Sequence, residues 1–232
     1  MNEFNRIAGM ISQKEMQQIS KLKVLIVGIG GVGGFAFESL IRSGVKNITI
    51  VDADIIDISN LNRQLITLQN NIGKEKTEEA IKRAALINPK AKITSIKNFI
   101  TKDNINTLFK RKYDYIIDAC DTISTKVALI QKAHESKTKI ISSMGTGNKL
   151  DPSQLAIVDI RKTSYDPIAK ILRKLLKDLH INGKVMVVSS TEKPKKSKNK
   201  TPGSMIFVPA TAGILCASYI INDALNKAKT LQ

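Results

Sequence analysis

A glycine-rich segment and an acid downstream of it are the residues most suited to bind a nucleotide. The motif GIGGVGG, residues 28–34, follows a short apolar run. Gly28 permits a tight turn, Gly30 lets the backbone approach a phosphate, and Gly33 lets a helix pack close to a strand. The N–H groups at the start of that helix would face the anion, helped by the helix dipole. Asp52 lies nineteen residues after Gly33, where an acid can accept hydrogen bonds from ribose hydroxyls.

A second set of polar residues suits the binding of a triphosphate that undergoes nucleophilic attack. Two cations with a carboxylate for Mg²⁺ would position such a group and offset its charge. Amide side chains beside them would add hydrogen bonds. The set comprises Asn60, Arg63, Gln64, Lys76 and Asp121, and we include Gly31, Asp54 and Asp118 as further nucleotide contacts because they lie on the same predicted turns and strand ends.

Strands that alternate with helices are expected to carry these residues. Such alternation predicts a Rossmann-like α/β fold, with a mostly parallel sheet covered by helices on both faces. Right-handed crossovers would then bring residues 28–31, Asp52 and residues 118–121 to one carboxyl edge of the sheet. The predicted strands are residues 24–27, 48–51, 91–99, 113–121 and 139–143. One predicted helix begins after residue 34, and the others span residues 74–87, 101–109 (capped by Thr101) and 124–136.

The chain changes character after residue 150. We expect residues 1–150 to form the nucleotide-binding domain, with an N-terminal arm and an amphipathic helix in residues 1–20. Residues 151–232 would form a smaller, partly antiparallel extension packed on it. In that extension, residues 151–161 are interpreted as a strand, residues 162–180 as a basic helix, and residues 205–221 as a buried strand followed by a helix.

The chain is strongly basic, which suggests a polyanionic partner. The net charge is +17, of which +9 falls in residues 1–150 and +8 in the much shorter remainder. The basic helix, and the lysine-rich residues 193–200, could contact phosphates, although a solvated helix face and a lysine-rich genome would also account for them. The predicted RNA contacts are Arg161, Lys162, Lys170, Arg173 and Lys174.

Composition also bounds the compartment and the chemistry. Cys120 and Cys216 are too few for a disulfide framework or for paired CxxC zinc ligands, and they are interpreted as reduced, cytosolic core residues. No signal peptide is expected at the N-terminus. Residues 205–221 are slightly too short for a membrane span and contain Pro209. The predicted protein is therefore cytoplasmic and makes no membrane contact.

Four motifs in order resemble the ThiF/MoeB/HesA group, the bacterial relatives of ubiquitin-activating enzymes. These are GIGGVG, VDADIIDISNLNRQ, IGKEKTEEA followed by NP, and DYIIDACD, all within residues 24–130. The resemblance implies that the chain binds Mg-ATP and adenylates a carboxylate. Gly30 and Asp52 would hold the ribose and phosphate region, and Asp121 would bind Mg²⁺. The phosphates would be held by Asn60, Arg63, Gln64 and Lys76.

The N-terminal motif EFNRIAGM extends this resemblance to a homodimer. Its Arg6 is similar to the arginine that reaches the ATP of a neighbouring subunit in dimers of the family. The resemblance therefore implies four catalytic residues, Arg63, Lys76, Asp121 and Arg6.

The rest of the chain resembles a tRNA-modifying branch of the group over essentially the full length. The similar segments are SSMGTGNKLDPSQLAIVDIRKTSYDPIAKILRKLL, SSTEKP and ASYIINDAL, whereas the crossover-loop cysteine and CxxC pairs of sulfur-carrier activation are missing. The implied reaction is ATP-dependent cyclisation of threonylcarbamoyladenosine beside the anticodon, through an acyl adenylate. The implied partners are tRNA and a cysteine desulfurase or sulfur acceptor.

Three other functions compete with this expectation. Adenylation of a ubiquitin-like or sulfur-carrier protein tail would use the same nucleotide site. A nicotinamide-dependent oxidoreductase would need a catalytic base, yet His134 and His180 lie in lysine-rich helices away from the predicted crevice. A non-catalytic RNA binder that senses nucleotide would bind both ligands without turnover.

Overall fold

The computed structural model describes residues 3–196 and 201–230, which fold around a seven-stranded sheet. The strands are β1 (Lys23–Val27), β2 (Asn47–Val51), β3 (Lys92–Ile96), β4 (Tyr115–Asp118), β5 (Lys139–Ser143), β6 (Leu155–Asp159) and β7 (Met186–Ser190). Their order across the sheet is β3-β2-β1-β4-β5-β7-β6. Every neighbouring pair is parallel except β6 with β7. The expected α/β class, with a partly antiparallel C-terminal part, is confirmed.

Helices cover both faces of this sheet. They are α1 (Asn5–Ala8), α2 (Gln13–Lys21), α3 (Gly33–Arg42), α4 (Lys76–Ile87), α5 (Ile123–Glu135), α6 (Pro167–Asp178) and α7 (Phe207–Thr230). The side chains of β1 show why both faces need a cover. Val24 and Ile26 join the core beneath α3 and α7, whereas Leu25 and Val27 join the core beneath α5. Because alternate residues point to opposite faces, a strand buried on both sides is apolar throughout.

The C-terminal segment differs from its predicted strand-then-helix form. It is a single helix, α7, and the sheet position beside β5 is filled instead by β7, which the sequence pattern did not reveal. Pro209 lies in the first turn of α7, where a missing N–H group is tolerated. A Cβ atom on Gly213 would lie 2.2 Å from the Val32 carbonyl oxygen, so only glycine allows α7 to pack this closely at the start of α3.

Helix α7 is also the part of the described chain that could be mistaken for a membrane span. By length and composition, Phe207–Lys227 is long and apolar enough to cross a bilayer. Its inward face, however, lies in the core with Val208 at the helix start and Ala212, Cys216 and Ile220 fully buried. This packing matches the interpretation of a buried core segment.

Two other predicted elements are shorter than expected. Residues 101–109 were expected to form a helix capped by Thr101, but only a 3-10 helix, Ile105–Lys110, forms. The side-chain Oδ1 atom of Asn104 accepts a hydrogen bond from the Thr101 N–H group, and this local turn competes with helix formation. The basic helix begins only at Pro167, because Asp166 caps it by accepting from the Ala169 N–H group. Of the lysine-rich residues 193–200, residues 197–200 lie outside the described chain.

Candidate nucleotide-binding site

A cleft of about 710 Å³ opens at the carboxyl ends of β1, β2, β4 and β5. It occupies the crevice where ligands bind in open α/β sheets, and its size is typical of a small-molecule site. Ten of the residues expected to bind the nucleotide line this cleft, and we call the part they form the nucleotide lobe. They are Gly28, Gly30, Gly31, Asp52, Asp54, Asn60, Arg63, Gln64, Lys76 and Asp121.

The glycine turn of the nucleotide lobe is held by close backbone packing and by one acid. Gly28 has φ +91°, and a Cβ atom there would lie 2.7 Å from the Ala119 carbonyl oxygen. A Cβ atom on Gly33 would overlap the Gly28 carbonyl oxygen at 1.8 Å. The Asp52 carboxylate accepts from the Ile29 N–H group at 2.6 Å and from the Asp54 N–H group at 2.9 Å. Asp52 therefore orders the turn and still retains lone pairs for a ribose.

The two cations of the lobe are held in different ways. Lys76 is buried in the first turn of α4, and its Nζ atom lies 2.7 Å from the exposed Asp54 carboxylate. The Arg63 Nη1 atom donates to the Ser59 carbonyl oxygen at 2.7 Å and to Asn62 Oδ1 at 3.0 Å. These bonds orient the guanidinium and leave its other N–H groups available. Such a fork suits phosphate oxygens.

Gln64 is the residue of the nucleotide lobe that most clearly indicates a ligand-binding site. The residue is 8% exposed and lines the cleft, yet its Oε1 atom is buried without a hydrogen-bond partner in the described structure. Buried carbonyl groups are nearly always paired, since an unpaired one costs about 1–3 kcal/mol. A donor from a bound molecule would satisfy this atom.

Asp121 presents a carboxylate to the cleft. It is exposed at the cleft, and within the described ranges no cluster of three acidic, cysteine or histidine side chains could hold a metal on its own. Mg²⁺ characteristically binds one or two carboxylates together with substrate phosphates. The donor set therefore fits Mg²⁺ that arrives with a nucleotide.

Asp118 requires a correction, because its carboxylate lies beneath the cleft rather than on its surface. It is fully buried and accepts from Lys126 Nζ at 3.0 Å and from the hydroxyl group of Ser142. The Lys126 ammonium also donates to the Ser143 carbonyl oxygen at 2.8 Å. Burial lowers the pKa of Lys126, but the Asp118 carboxylate more than compensates, so the net pKa is raised. Asp118 thus holds β4, β5 and α5 together instead of contacting a nucleotide.

Lys126 lines the cleft although the sequence reasoning did not identify it. Its signal was a lysine on the apolar stripe of α5, at helical spacing from the buried residues Leu129, Ile130 and Ala133. Cys120 borders the same group and donates its thiol to Asp118 at 3.0 Å. Burial, together with the Asp118 charge, raises the pKa of the Cys120 thiol, and burial raises that of Cys216 to about 12. Neither cysteine is therefore activated as a nucleophile.

The cleft continues past β5 into a region that the sequence reasoning also missed. We call it the second lobe, and its lining residues are Met144, Gly145, Thr146, Gly147, Ile168, Pro202 and Ser204. The buried Asp166 carboxylate accepts from the Gly145 N–H group at 3.0 Å, while Lys149 Nζ donates to the Gly145 carbonyl oxygen at 2.9 Å. Lys149 Nζ also lies 3.4 Å from the Asp166 carboxylate, and this buried ion pair attaches the wall of the lobe to the start of α6.

The remaining predicted residues lie outside the cleft. Arg6 is exposed on α1 and does not line it. Arg161 is paired with Asp159 at 2.5 Å. Arg173 is half-buried and donates to the Ile160 and Thr163 carbonyl oxygens, so it orders the turn before α6. Arg161 is nevertheless exposed, as are Lys162, Lys170 and Lys174.

Comparison with known proteins agrees with this geometry. The family model described as ThiF family matches residues 4–229. A tRNA threonylcarbamoyladenosine dehydratase of Bacillus subtilis is 36% identical, over 97% of this chain and 95% of the relative, and one of Escherichia coli is 34% identical, over 92% and 78%. The E. coli enzyme solved with ATP superposes with a TM-score of 0.93 at 33% identity, covering 99% of this chain and 96% of that one. The chain belongs to the ThiF family, in the group whose curated members are tRNA threonylcarbamoyladenosine dehydratases.

Proposed function

We propose that this protein is an ATP-dependent tRNA threonylcarbamoyladenosine dehydratase. One observation carries the proposal: the nucleotide lobe, with its unpaired Gln64 carbonyl and its cations, opens directly into a second lobe that has room for another substrate. The similarity to named dehydratases, including one solved with ATP, supplies the substrate class. ATP would occupy the nucleotide lobe, and the threonylcarbamoyl side chain would enter from the second lobe.

The first step is formation of an acyl adenylate. A carboxylate oxygen of the threonylcarbamoyl group attacks the α-phosphorus of ATP, and the bond from that phosphorus to the bridging oxygen breaks to release pyrophosphate. Arg63 and Lys76 would offset the negative charge that builds up on the phosphates, while Asn60 and Gln64 would orient them. Asp121 would hold Mg²⁺, which would supply positive charge to the leaving pyrophosphate.

Ring closure follows without a nucleophile from the protein. The ureido group of the same side chain attacks the activated carbonyl, loses a proton to solvent, and expels AMP, which carries away the former carboxylate oxygen. The net change to the nucleoside is the loss of one water. Because the attacking group is already tethered next to the carbonyl, its effective concentration is high. The unactivated thiols of Cys120 and Cys216 agree with such a route.

The RNA would bind across α6 and its neighbouring turn through phosphate contacts. Lys162, Lys170 and Lys174 are exposed there and would contribute charge, whereas Arg161 and Arg173 are also engaged internally. Such contacts position RNA without reading its sequence and weaken with salt. We further propose a cytoplasmic homodimer in which Arg6 reaches the partner's ATP. A cysteine desulfurase or sulfur acceptor is proposed as an additional partner.

A mass measurement tests the reaction. Wild-type protein incubated with ATP, Mg²⁺ and tRNA that carries threonylcarbamoyladenosine should yield a nucleoside lighter by one water, together with AMP and pyrophosphate. An unchanged nucleoside, from protein that binds ATP, would refute the proposal. Pyrophosphate exchange that requires a small protein ending in Gly-Gly, and not tRNA, would instead indicate adenylation of a protein tail.

Paired variants test the assigned residues in the same assay. Arg63→Ala and Asp121→Asn should each lower kcat by about 10²–10³-fold, the loss typical of one electrostatic contact to the transition state. Arg111→Ala and Asp103→Asn serve as matched controls, because both side chains are exposed and neither lines the cleft. Near-normal turnover in either site variant would remove that residue from the mechanism.

A further inference from the structure

An unusual backbone conformation singles out Tyr165, at the turn before α6. Four non-glycine residues of the described chain have positive φ: Lys137, Asn148, Tyr165 and His180. Lys137 and His180 come just after helices α5 and α6, where left-handed residues commonly end a helix. Asparagine tolerates this conformation well. Of these four residues, only Tyr165, with φ +52°, has a bulky side chain and neither ends a helix nor belongs to a type that favours positive φ.

The usual contact of an apolar residue with the first turns of the following helix does not explain the tyrosine either. Tyr165 precedes the cap residue Asp166, a position from which an apolar side chain often packs against the fourth residue of the helix. That residue is the exposed Lys170, and Tyr165 itself is 58% exposed. Strained residues persist where surrounding structure holds them, and they cluster at functional sites. Here the next residue, Asp166, is buried and bonded to Gly145 of the second lobe.

The surroundings of Tyr165 are those of a site for an unpaired base. The Lys193 Nζ atom lies 5.3 Å from the centre of the tyrosine ring, as in a cation–π contact. The backbone of this lysine segment is tied to the same wall, since the Lys195 N–H group donates to the Asn148 carbonyl oxygen at 2.7 Å. An exposed aromatic ring beside lysines is the usual platform for single-stranded RNA, in which the base stacks and the lysines contact phosphates.

We propose that Tyr165 stacks on an anticodon-loop base next to the modified adenosine, and that Lys193 contacts the adjoining phosphate. This inference rests on the proposed function, which supplies the identity of the RNA. Asp166 and Lys149 fix the second lobe and α6 to each other, so the stacked base would set how the neighbouring nucleoside enters the cleft. Tyr165 is thus an RNA-positioning residue and takes no part in the chemistry.

Two substitutions separate the ring from the backbone. Tyr165→Phe keeps the ring, whereas Tyr165→Asn removes it and places at φ +52° a residue that accepts this conformation, so folding is preserved. His180→Asn is the matched control, since His180 is also exposed with positive φ but lies after the far end of α6. Lys193→Gln removes the neighbouring charge alone.

The probe is an anticodon stem-loop RNA in which one loop purine at a time is replaced by fluorescent 2-aminopurine. We expect the fluorescence change at one position to persist with Tyr165→Phe and to vanish with Tyr165→Asn, with affinity reduced about 5- to 150-fold, as for loss of one stacked base. Lys193→Gln should make the slope of log affinity against log salt concentration shallower by about 1, as expected for the loss of one phosphate contact. Unchanged fluorescence and affinity in Tyr165→Asn would overturn the inference, even if wild-type protein dehydrates tRNA. Stacking without any turnover would leave this inference standing and refute the proposed function.

Discussion

At the scale of single residues, the nucleotide lobe is built from side chains that already have one partner and keep capacity for another. Asp52 orders the glycine turn, Lys76 is paired with Asp54, and the Arg63 guanidinium is oriented by two acceptors. Because these bonds fix the side chains in advance, a bound phosphate would need little further ordering of the protein. Gln64 differs, since its buried carbonyl has no partner in the described structure. At Gln64, folding and ligand binding are in conflict, because the unpaired carbonyl lowers the stability of the free protein and would be paired only by a ligand.

This conflict gives a prediction for Gln64→Met. Methionine has a similar shape and no carbonyl, so the free protein should keep or gain stability, by up to about 1–3 kcal/mol. Affinity for ATP should fall, because the ligand loses a hydrogen-bond partner. Thermal unfolding with and without ATP would measure both effects, and the stabilisation by ATP should shrink relative to wild type. Gln69→Met, on an exposed residue, is the control. A variant that is less stable alone yet equally stabilised by ATP would contradict the assignment.

At the scale of elements, an ion pair joins α3, which follows the glycine turn, to α4, which carries Lys76. Glu38 on α3 accepts from Arg83 of α4 at 2.5 and 3.0 Å, and it also accepts from Arg42 at 2.8 Å. Burial tends to raise the pKa of Glu38, but the hydrogen bonds from Arg83 and Arg42 prevail and lower it. The carboxylate therefore contributes stability above its unfolded pKa of about 4.3, and this contribution is lost as pH falls through the lower, folded value.

The corresponding prediction is a pH-dependent effect of Glu38→Gln. At pH 7 the variant should melt about 2–4 °C below wild type, the shift expected for about 1 kcal/mol in a chain of this size. The difference should begin to narrow below about pH 4.3, where the unfolded wild-type carboxylate takes up a proton, and should disappear as pH falls through the lower, folded pKa. Glu3→Gln, at an exposed position, should show no such difference. A gap between the melting curves that stays constant down to pH 3 would show that the stabilisation does not depend on the charge of Glu38.

Local patterns predicted the elements that carry their own signals. Sequence spacing predicts the glycine turn, the apolar β1 and the acid after β2, because that spacing reflects backbone geometry. Strand β7 was missed since it is defined by its pairing with β5 and β6, which are distant in sequence. The Asp118–Lys126 pair likewise depends on contacts between separate elements. So does the second lobe, in which Gly145 and Pro202 come together from distant parts of the chain. In the sequence, Asp118 resembles a nucleotide ligand because it ends a strand, whereas its buried partner Lys126 is apparent only from the fold.

At the scale of the whole molecule, the sheet order places both lobes at one edge and the basic helix α6 beside them. A bound RNA would therefore present a loop to the cleft while its backbone lies along Lys170 and Lys174. Arg6 does not line this cleft within its own chain. If it acts in catalysis, the geometry of a twofold dimer is the simplest way to bring it to an ATP molecule, because each subunit then donates the same arm to the other.

Mixing two inactive variants tests this arrangement. Arg6→Ala and Arg63→Ala homodimers should each be impaired, since every site lacks one cation. In a mixed dimer, one site receives both defects and the other receives none. Random exchange of subunits makes about half of the dimers mixed, each with one intact site, so activity should recover to about one quarter of wild type. Mixing Arg63→Ala with Asp121→Asn provides the control, since both residues line the same cleft and every site stays defective. Mixtures of the Arg6 and Arg63 variants that regain no activity, despite subunit exchange verified by differently tagged chains, would exclude action of Arg6 in the partner's site.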